Sequence, residues 1–184
     1  MILATEKWTY SDMLAKLPPE SRYEIRNYHL IDMPSPTEKH QELQFKLTLL
    51  LGNYIVSHKL GKFYQAPLDV ILDEGNTVQP DLLFVSNANK DMIKERGIFG
   101  APDLLVEIVS KGSIIRDYVE KKEDYEKFGV KEYWIIDPQN QFIQIFSLEA
   151  NKYIPYSSAD GEESLSVKSI VLKDFELKWS ELFE

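Results

Sequence analysis

The sequence contains no cysteine. That absence excludes disulfides, thiolate metal sites, iron–sulfur clusters and cysteine nucleophiles. It fits a reducing, cytoplasmic setting, which is the expected location. Long apolar runs are missing as well. The stretch from Met1 to Asp12 has no basic segment followed by an apolar one, so no signal peptide is expected, and nothing in the chain reads as a membrane span. Positive charge is in the minority, with 21 Lys and Arg against 30 Asp and Glu, a net charge of −9. A nucleic-acid binder usually carries a basic patch. Contact with phosphate must therefore come from local cationic side chains, from bound cations or from a partner chain.

What is present describes a folded chain. It has 184 residues, of which 43% are hydrophobic and 28% charged. That length and balance predict one domain over 1–184 with its own core. No repeat or low-complexity tract interrupts it. Residues 10–17 read as a short helix closed by Pro18-Pro19, and residues 23–25 and 29–33 as a hairpin. Ser35 as N-cap, Pro36 at the first helical position and Glu38 at the third predict the start of the longest helix. Leu43, Leu47, Leu50, Leu51, Tyr54, Ile55 and His58 follow at three- and four-residue steps, and Phe45 with Leu49 adds a second stripe. A helix apolar on two sides is covered twice, so a homodimer is expected.

From Phe63 to Val85 the chain reads as strands, among them 67–72 and 78–85 around a turn at 73–76, with a polar, partly helical loop over 87–96. Residues 103–110 are apolar apart from one Glu and match a central strand buried on both faces. A helix over 113–128 then stops at Gly129. Strands 132–137 and 142–148 form a hairpin, residues 153–156 and 165–172 continue as edge strands, and a short helix near residues 179–182 ends the chain. Helix, strands, helix, strands predicts a mixed sheet with flanking helices, α/β or α+β.

Two acids stand where an ordinary core does not place them. Asp81 follows Pro80 inside an apolar strand, and Glu107 interrupts the most apolar strand of all. A buried carboxylate is costly unless it is paired, hydrogen-bonded or metal-bound. Two carboxylates about 5 Å apart repel by about 3 kcal/mol at an effective dielectric near 20. Either one is protonated or a cation sits between them, and oxygen ligands suit Mg²⁺ or Mn²⁺. The bland alternative is a buried salt bridge. Asp117, Lys121 and Tyr125 share one face of the next helix at four-residue spacing, flanked by Arg116 and Lys122; a solvated face is the bland alternative there. Gln79 is a candidate ligand or water contact. Trp134 and Tyr133 are expected in the core, and Asp103 is expected to make a turn after Pro102.

Taken in order, the segments Tyr23-Glu24, Met33-Pro34-Ser35-Pro36 with His40, Gln79-Pro80-Asp81, Ala101 to Ser110, Arg116-Asp117, Lys121, Tyr125 and Gly129 to Pro138 resemble the Uma-two family, restriction-endonuclease-like proteins of unknown function. The resemblance runs from about Trp8 to Phe183. It implies a PD-(D/E)XK nuclease core with flanking helices and extra β-hairpins. It also implies Asp81 and Glu107 as catalytic acids and metal ligands, with Glu24 as the upstream acid beside them. In the usual pattern a lysine lies two residues after the second acid, where this chain has Val109. Lys121 matches the family's helical lysine, with Lys111 as its rival, and His40 matches the family's histidine as an accessory group. The expectation is a Mg²⁺- or Mn²⁺-dependent endonuclease acting on DNA. The competing expectation is a nuclease fold retained for binding or scaffolding, without catalysis.

Overall fold

The computed structural model describes residues 6–18 and 21–184. In chain order the elements are α1 (Tyr10–Lys16), β1 (Tyr23–Arg26), β2 (His29–Asp32), α2 (Glu38–Ser57), β3 (Gly61–Gln65), β4 (Val70–Asp73), β5 (Asn76–Val78) and β6 (Leu82–Ser86). A 3₁₀ turn (Asn87–Met92), β7 (Ile93–Lys94), β8 (Gly97–Phe99) and β9 (Leu104–Ile108) follow. A π-helical turn (Arg116–Lys121) runs into α3 (Lys122–Phe128). The chain ends with β10 (Glu132–Asp137), β11 (Phe142–Glu149), β12 (Lys152–Ala159), β13 (Ser166–Lys168), β14 (Glu176–Lys178) and α4 (Ser180–Phe183).

Two six-stranded sheets carry the architecture, in the orders β12-β11-β10-β9-β6-β3 and β2-β1-β5-β4-β8-β7; β13 and β14 form a separate ribbon. In the first sheet β9 and β10 are parallel and the other neighbours antiparallel, so it is a mixed sheet. All five residues of β9 and all six of β10 are buried. Side chains alternate between the two faces of a strand. One face sends Leu82, Phe84, Leu104, Val106 and Ile108 against Leu43, Leu47, Leu51 and Ile55 of α2. The other sends Leu83, Val85, Leu105 and Val109 against Tyr125 and against Val70, Val78 and Ile98 of the second sheet. Each fully buried aliphatic side chain in these layers contributes about 1.5–3 kcal/mol. Trp134 and Tyr133 lie in the core as expected.

Several expected boundaries move for identifiable reasons. The α2 N-cap is Thr37, whose hydroxyl accepts the His40 N–H at 3.3 Å, and not Ser35. The strand expected over 78–85 is two strands in different sheets. Pro80 has no N–H for a ladder, and the Gln79 N–H goes to the Glu24 carboxylate. The helix expected over 113–128 begins with a π turn, a wider backbone ring than the α-helix. Gly129, at φ 85°, ends it in the left-handed conformation that glycine adopts without strain. Of residues 165–172 only Ser166–Lys168 is strand, because the buried Glu132 carboxylate takes the N–H groups of Ile170 and Val171 at 2.6 and 3.0 Å. The strands β7, which falls in the expected 87–96 loop, β8 and β14 had no expected counterpart. For the Pro18-Pro19 stop, Pro19 lies outside the described residues; α1 ends at Lys16 with Leu17 as its cap.

Asp103 does more than make a turn. It accepts the Ser86 N–H at 2.7 Å, the Asn89 side-chain amide at 2.8 Å and the Lys131 ammonium at 2.6 Å, and so ties the start of β9 to the 3₁₀ turn. Burial alone would raise its pKa, but Lys131 and the Ser86 and Asn89 donors hold it below the ordinary range. A depressed acid contributes stability above its unfolded pKa and loses it as pH falls through the folded value. Asp103→Asn is therefore expected to cost about 1.5–3 kcal/mol at pH 7. The deficit should shrink toward zero as pH drops below the ordinary Asp value of about 3.9. Urea denaturation of both proteins across pH checks this.

Candidate active site

Strand register brings the two acids together. Leu82 pairs with Val106 and Leu83 with Leu105. Continued by one residue, the same antiparallel register sets Asp81 opposite Glu107, where paired Cα atoms stand about 4.5–5.5 Å apart. Asp81 lies just outside β6 because Pro80 ends the pairing there. Its Oδ2 accepts the Ile108 N–H at 2.7 Å and faces His40 Nε2 at 3.1 Å. A carboxylate only accepts, so His40 donates through Nε2. The Asp81 carbonyl accepts the Ala66 N–H at 2.9 Å and the Gln44 amide at 3.3 Å. Both Asp81 and its neighbours are thus held by backbone and α2 contacts before any ligand arrives.

Glu107 is deeply buried. Its Oε1 accepts Lys121 Nζ at 2.7 Å and the Tyr125 hydroxyl at 2.6 Å. Lys121 Nζ also lies 3.3 Å from Glu24 Oε1. The Arg116 guanidinium donates to the other Glu24 oxygen, and the Gln79 backbone N–H reaches Oε1 at 2.9 Å. Glu24 comes from β1 of the second sheet. The ammonium of Lys121 therefore sits between the two sheets, held by one carboxylate from each. Burial pushes the Glu107 pKa well above the ordinary range; Lys121 pulls it back, while Asp81 and Asp117 push it further up. Burial also raises Asp117, with Lys121 and the Ser113 hydroxyl opposing.

The candidate residues are not all in one place. His40, Gln79, Asp81, Glu107, Asp117 and Lys121 line a single cleft of about 720 Å³. Among the described residues, no three His, Asp or Glu side chains converge closely enough to hold one ion. Glu24 stands behind Lys121, and both its oxygens are engaged by cations. Lys121, not Lys111, reaches Glu107; Lys111 lines the cleft mouth and is exposed. Val109, at the position where a lysine is usual, is 2% exposed and packs in the apolar layer. The Gln79 amide nitrogen donates to Asp69 at 2.9 Å, leaving Oε1 buried without a partner. Asp117 and Arg116 were legible only as residues of the helix face that carries Lys121. Asp117 proves to be a buried acid of the cleft, and Arg116 the partner of Glu24.

The donor set fits a hard divalent cation. Asp81 Oδ1 and Glu107 Oε2 face no hydrogen-bond donor among the described residues, and two carboxylates on adjacent strands offer the oxygen ligands such ions prefer. The cationic side chains of the cleft approach the opposite oxygens and leave these free.

Lys121→Met is expected to destabilise the fold by about 1–3 kcal/mol, because Glu107 and Glu24 lose the ammonium hydrogen bonds and Glu107, its pKa already raised by burial, must take up a proton to stay buried. Adding Glu107→Gln should restore part of that loss, with a coupling of about 0.5–3 kcal/mol in a double-mutant cycle read by urea denaturation.

Comparison with known proteins bears on the fold and the family. A protein of Anabaena variabilis ATCC 29413, described as a "putative nuclease belonging to DUF820", shares the fold with a TM-score of 0.77 and 18% sequence identity, over 95% of this chain and 97% of its own. No curated protein matches the chain. The family model Uma2, described as "Putative restriction endonuclease", matches residues 9–180. With nearly its whole length covered by that model, the chain belongs to the Uma2 family and has the restriction-endonuclease-like fold.

Proposed function

We propose that this chain is a nuclease that hydrolyses DNA phosphodiester bonds, with Mg²⁺ or Mn²⁺ held by Asp81 and Glu107. The observation that carries the reading is Lys121. It comes from the helix after β9, yet its ammonium lies 2.7 Å from the Glu107 carboxylate, inside the same cleft as Asp81. In this reading Lys121 takes the role of the lysine missing at Val109, from twelve positions further along the chain. When bound, the cation would polarise a phosphoryl oxygen and lower the pKa of a coordinated water. Lys121 sets a fixed positive charge beside the place where negative charge develops. Glu24 and Arg116 hold that ammonium in position, and His40 with the Ile108 N–H orients Asp81. In this reading Glu24 serves Lys121 and not the metal.

One observation favours the second reading, a binding or scaffold protein without catalysis. Lys121 is 4% exposed and paired with two carboxylates, as in a purely structural ion pair. Titration calorimetry with Mg²⁺ and Mn²⁺ separates the two, with and without DNA present. The nuclease reading expects binding to the wild type that disappears in Asp81→Ala and in Glu107→Ala. It also expects DNA cleavage to fall at least about 100-fold in Lys121→Ala. A folded wild type that takes up neither metal under either condition sinks the nuclease reading and leaves the scaffold.

Self-association through α2 belongs to the same proposal. The inner stripe of α2 is used up in the core, while Leu49 and Val56 stand 47% and 73% exposed on its outer side. No described helix is long and apolar enough to cross a membrane, so that stripe is not part of a helical span. Sedimentation at twice the monomer mass, reverting to monomer in Val56→Lys, is the expected result; a monomer at every concentration rules the dimer out.

A further inference from the structure

Beside the acids, the cleft has features that the hydrolytic reading leaves unused. Three residues that line it each carry a buried polar atom with no hydrogen-bond partner among the described residues: Arg22 Nε, His40 Nδ1 and Gln79 Oε1. Buried polar atoms are nearly always paired, so three orphans around one cavity mark a place where a ligand completes them. The Arg22 N–H needs an acceptor. A guanidinium that meets no carboxylate in the cleft is built for the oxygens of a phosphate. The Gln79 oxygen can only accept, and it needs a donor such as a water or a base amino group.

Part of the lining is apolar. Met33, Pro36, Phe45 and Pro67 form it, and Phe45 is 64% exposed although it belongs to a cleft wall. An exposed aromatic ring on a cleft that also carries an unpaired guanidinium suits an unpaired base, since every base has a π-face and a base inside a duplex hides its own.

Charge restricts the ligand further. Of the four cations on the cleft, Arg116 and Lys121 are engaged by Glu24 and Glu107, while Arg22 and Lys111 form no ion pair among the described residues. A protein that tracks duplex DNA commonly makes about 6–10 phosphate contacts. Two free cations on a chain of net charge −9 do not supply that track. A cavity of about 720 Å³ lies in the size range of sites for small ligands and short chain segments, about 300–1,000 Å³.

We propose that the cleft takes a single unpaired DNA strand, with Arg22 on a phosphate next to the scissile one and Phe45 stacked on a base. This rests on the nuclease reading for the scissile phosphate, but binding by itself is a separate readout. The test uses the full chain with Asp81→Asn as a non-cleaving background. A fluorescent oligonucleotide is presented single-stranded, and as a blunt duplex of the same sequence. Fluorescence anisotropy at fixed salt with Mg²⁺ gives the affinities, and the wild type with Mn²⁺ gives cleavage of the same substrates.

The expected result is single-strand binding at least tenfold tighter than duplex binding. Phe45→Ala and Arg22→Ala should each weaken it about tenfold, with Arg22→Lys intermediate. Both positions are outside the buried core, and thermal melts matching the parent establish that the variants fold. Equal or tighter duplex binding, or well-folded variants that bind the strand as the parent does, overturns the proposal. Tight, Phe45-dependent strand binding with no metal-dependent cleavage upholds the strand site and removes the nuclease reading, so the two fail separately.

Discussion

The Lys121 ammonium, held between Glu107 and Glu24, is the contact on which the site depends. One carboxylate belongs to the central sheet and the other to the second sheet, so the pair is also a joint between layers. A charge buried this deeply is tolerated only when its partners are close and their remaining hydrogen-bonding capacity is used. Here Tyr125 donates to the Glu107 oxygen that Lys121 also holds, and Arg116 takes the Glu24 oxygen away from Lys121. The arrangement orients one cation toward a cleft and keeps one oxygen of Glu107 free of donors.

The polypeptide reaches this arrangement through two local irregularities. Pro80 breaks what would be one long strand, so the chain leaves the second sheet at Val78 and enters the central sheet at Leu82. Asp81 stands at that crossing, opposite Glu107 by register. The π turn over Arg116–Lys121 then presents Arg116, Asp117 and Lys121 together, two of them buried. Such turns are uncommon and recur at functional sites, where an extra residue per turn redirects side chains. Sequence spacing at four-residue steps suggested a shared face for Asp117, Lys121 and Tyr125; in the structure Asp117 and Lys121 line the cleft, and Lys121 and Tyr125 meet the same Glu107 oxygen.

Much of the fold was legible because burial imposes period. The run at β9 reads as a doubly buried strand, and the α2 leucines read as a helix face, since each pattern matches the geometry of its element. Glu107 was visible for the converse reason: an acid in such a run must have a partner. Boundaries were less legible where competing local donors and acceptors decide them. Ser35 and Thr37 are both acceptable caps, and the choice falls to Thr37 because its hydroxyl meets the His40 N–H while the preceding prolines line the cleft. The loss of strand over residues 169–172 depends on Glu132, which is far away in sequence and takes the Ser169 hydroxyl and the N–H groups of Ile170 and Val171.

Residue types and their local spacing by themselves determined the candidate acids Asp81 and Glu107, the mixed α/β class and the absence of any thiol chemistry, while Glu24 and the helical lysine came from the family resemblance. These follow from short-range rules, since apolar period and the cost of a buried charge are properties of a few neighbouring residues. Tertiary structure alone decided that Lys121 and not Lys111 reaches Glu107, that Glu24 faces Lys121 and Arg116, and that Arg22, His40 and Gln79 leave unpaired atoms around one cavity. Those outcomes depend on how two sheets pack and on which side chains of distant segments meet. Such contacts form between residues tens of positions apart, and no local pattern encodes their geometry.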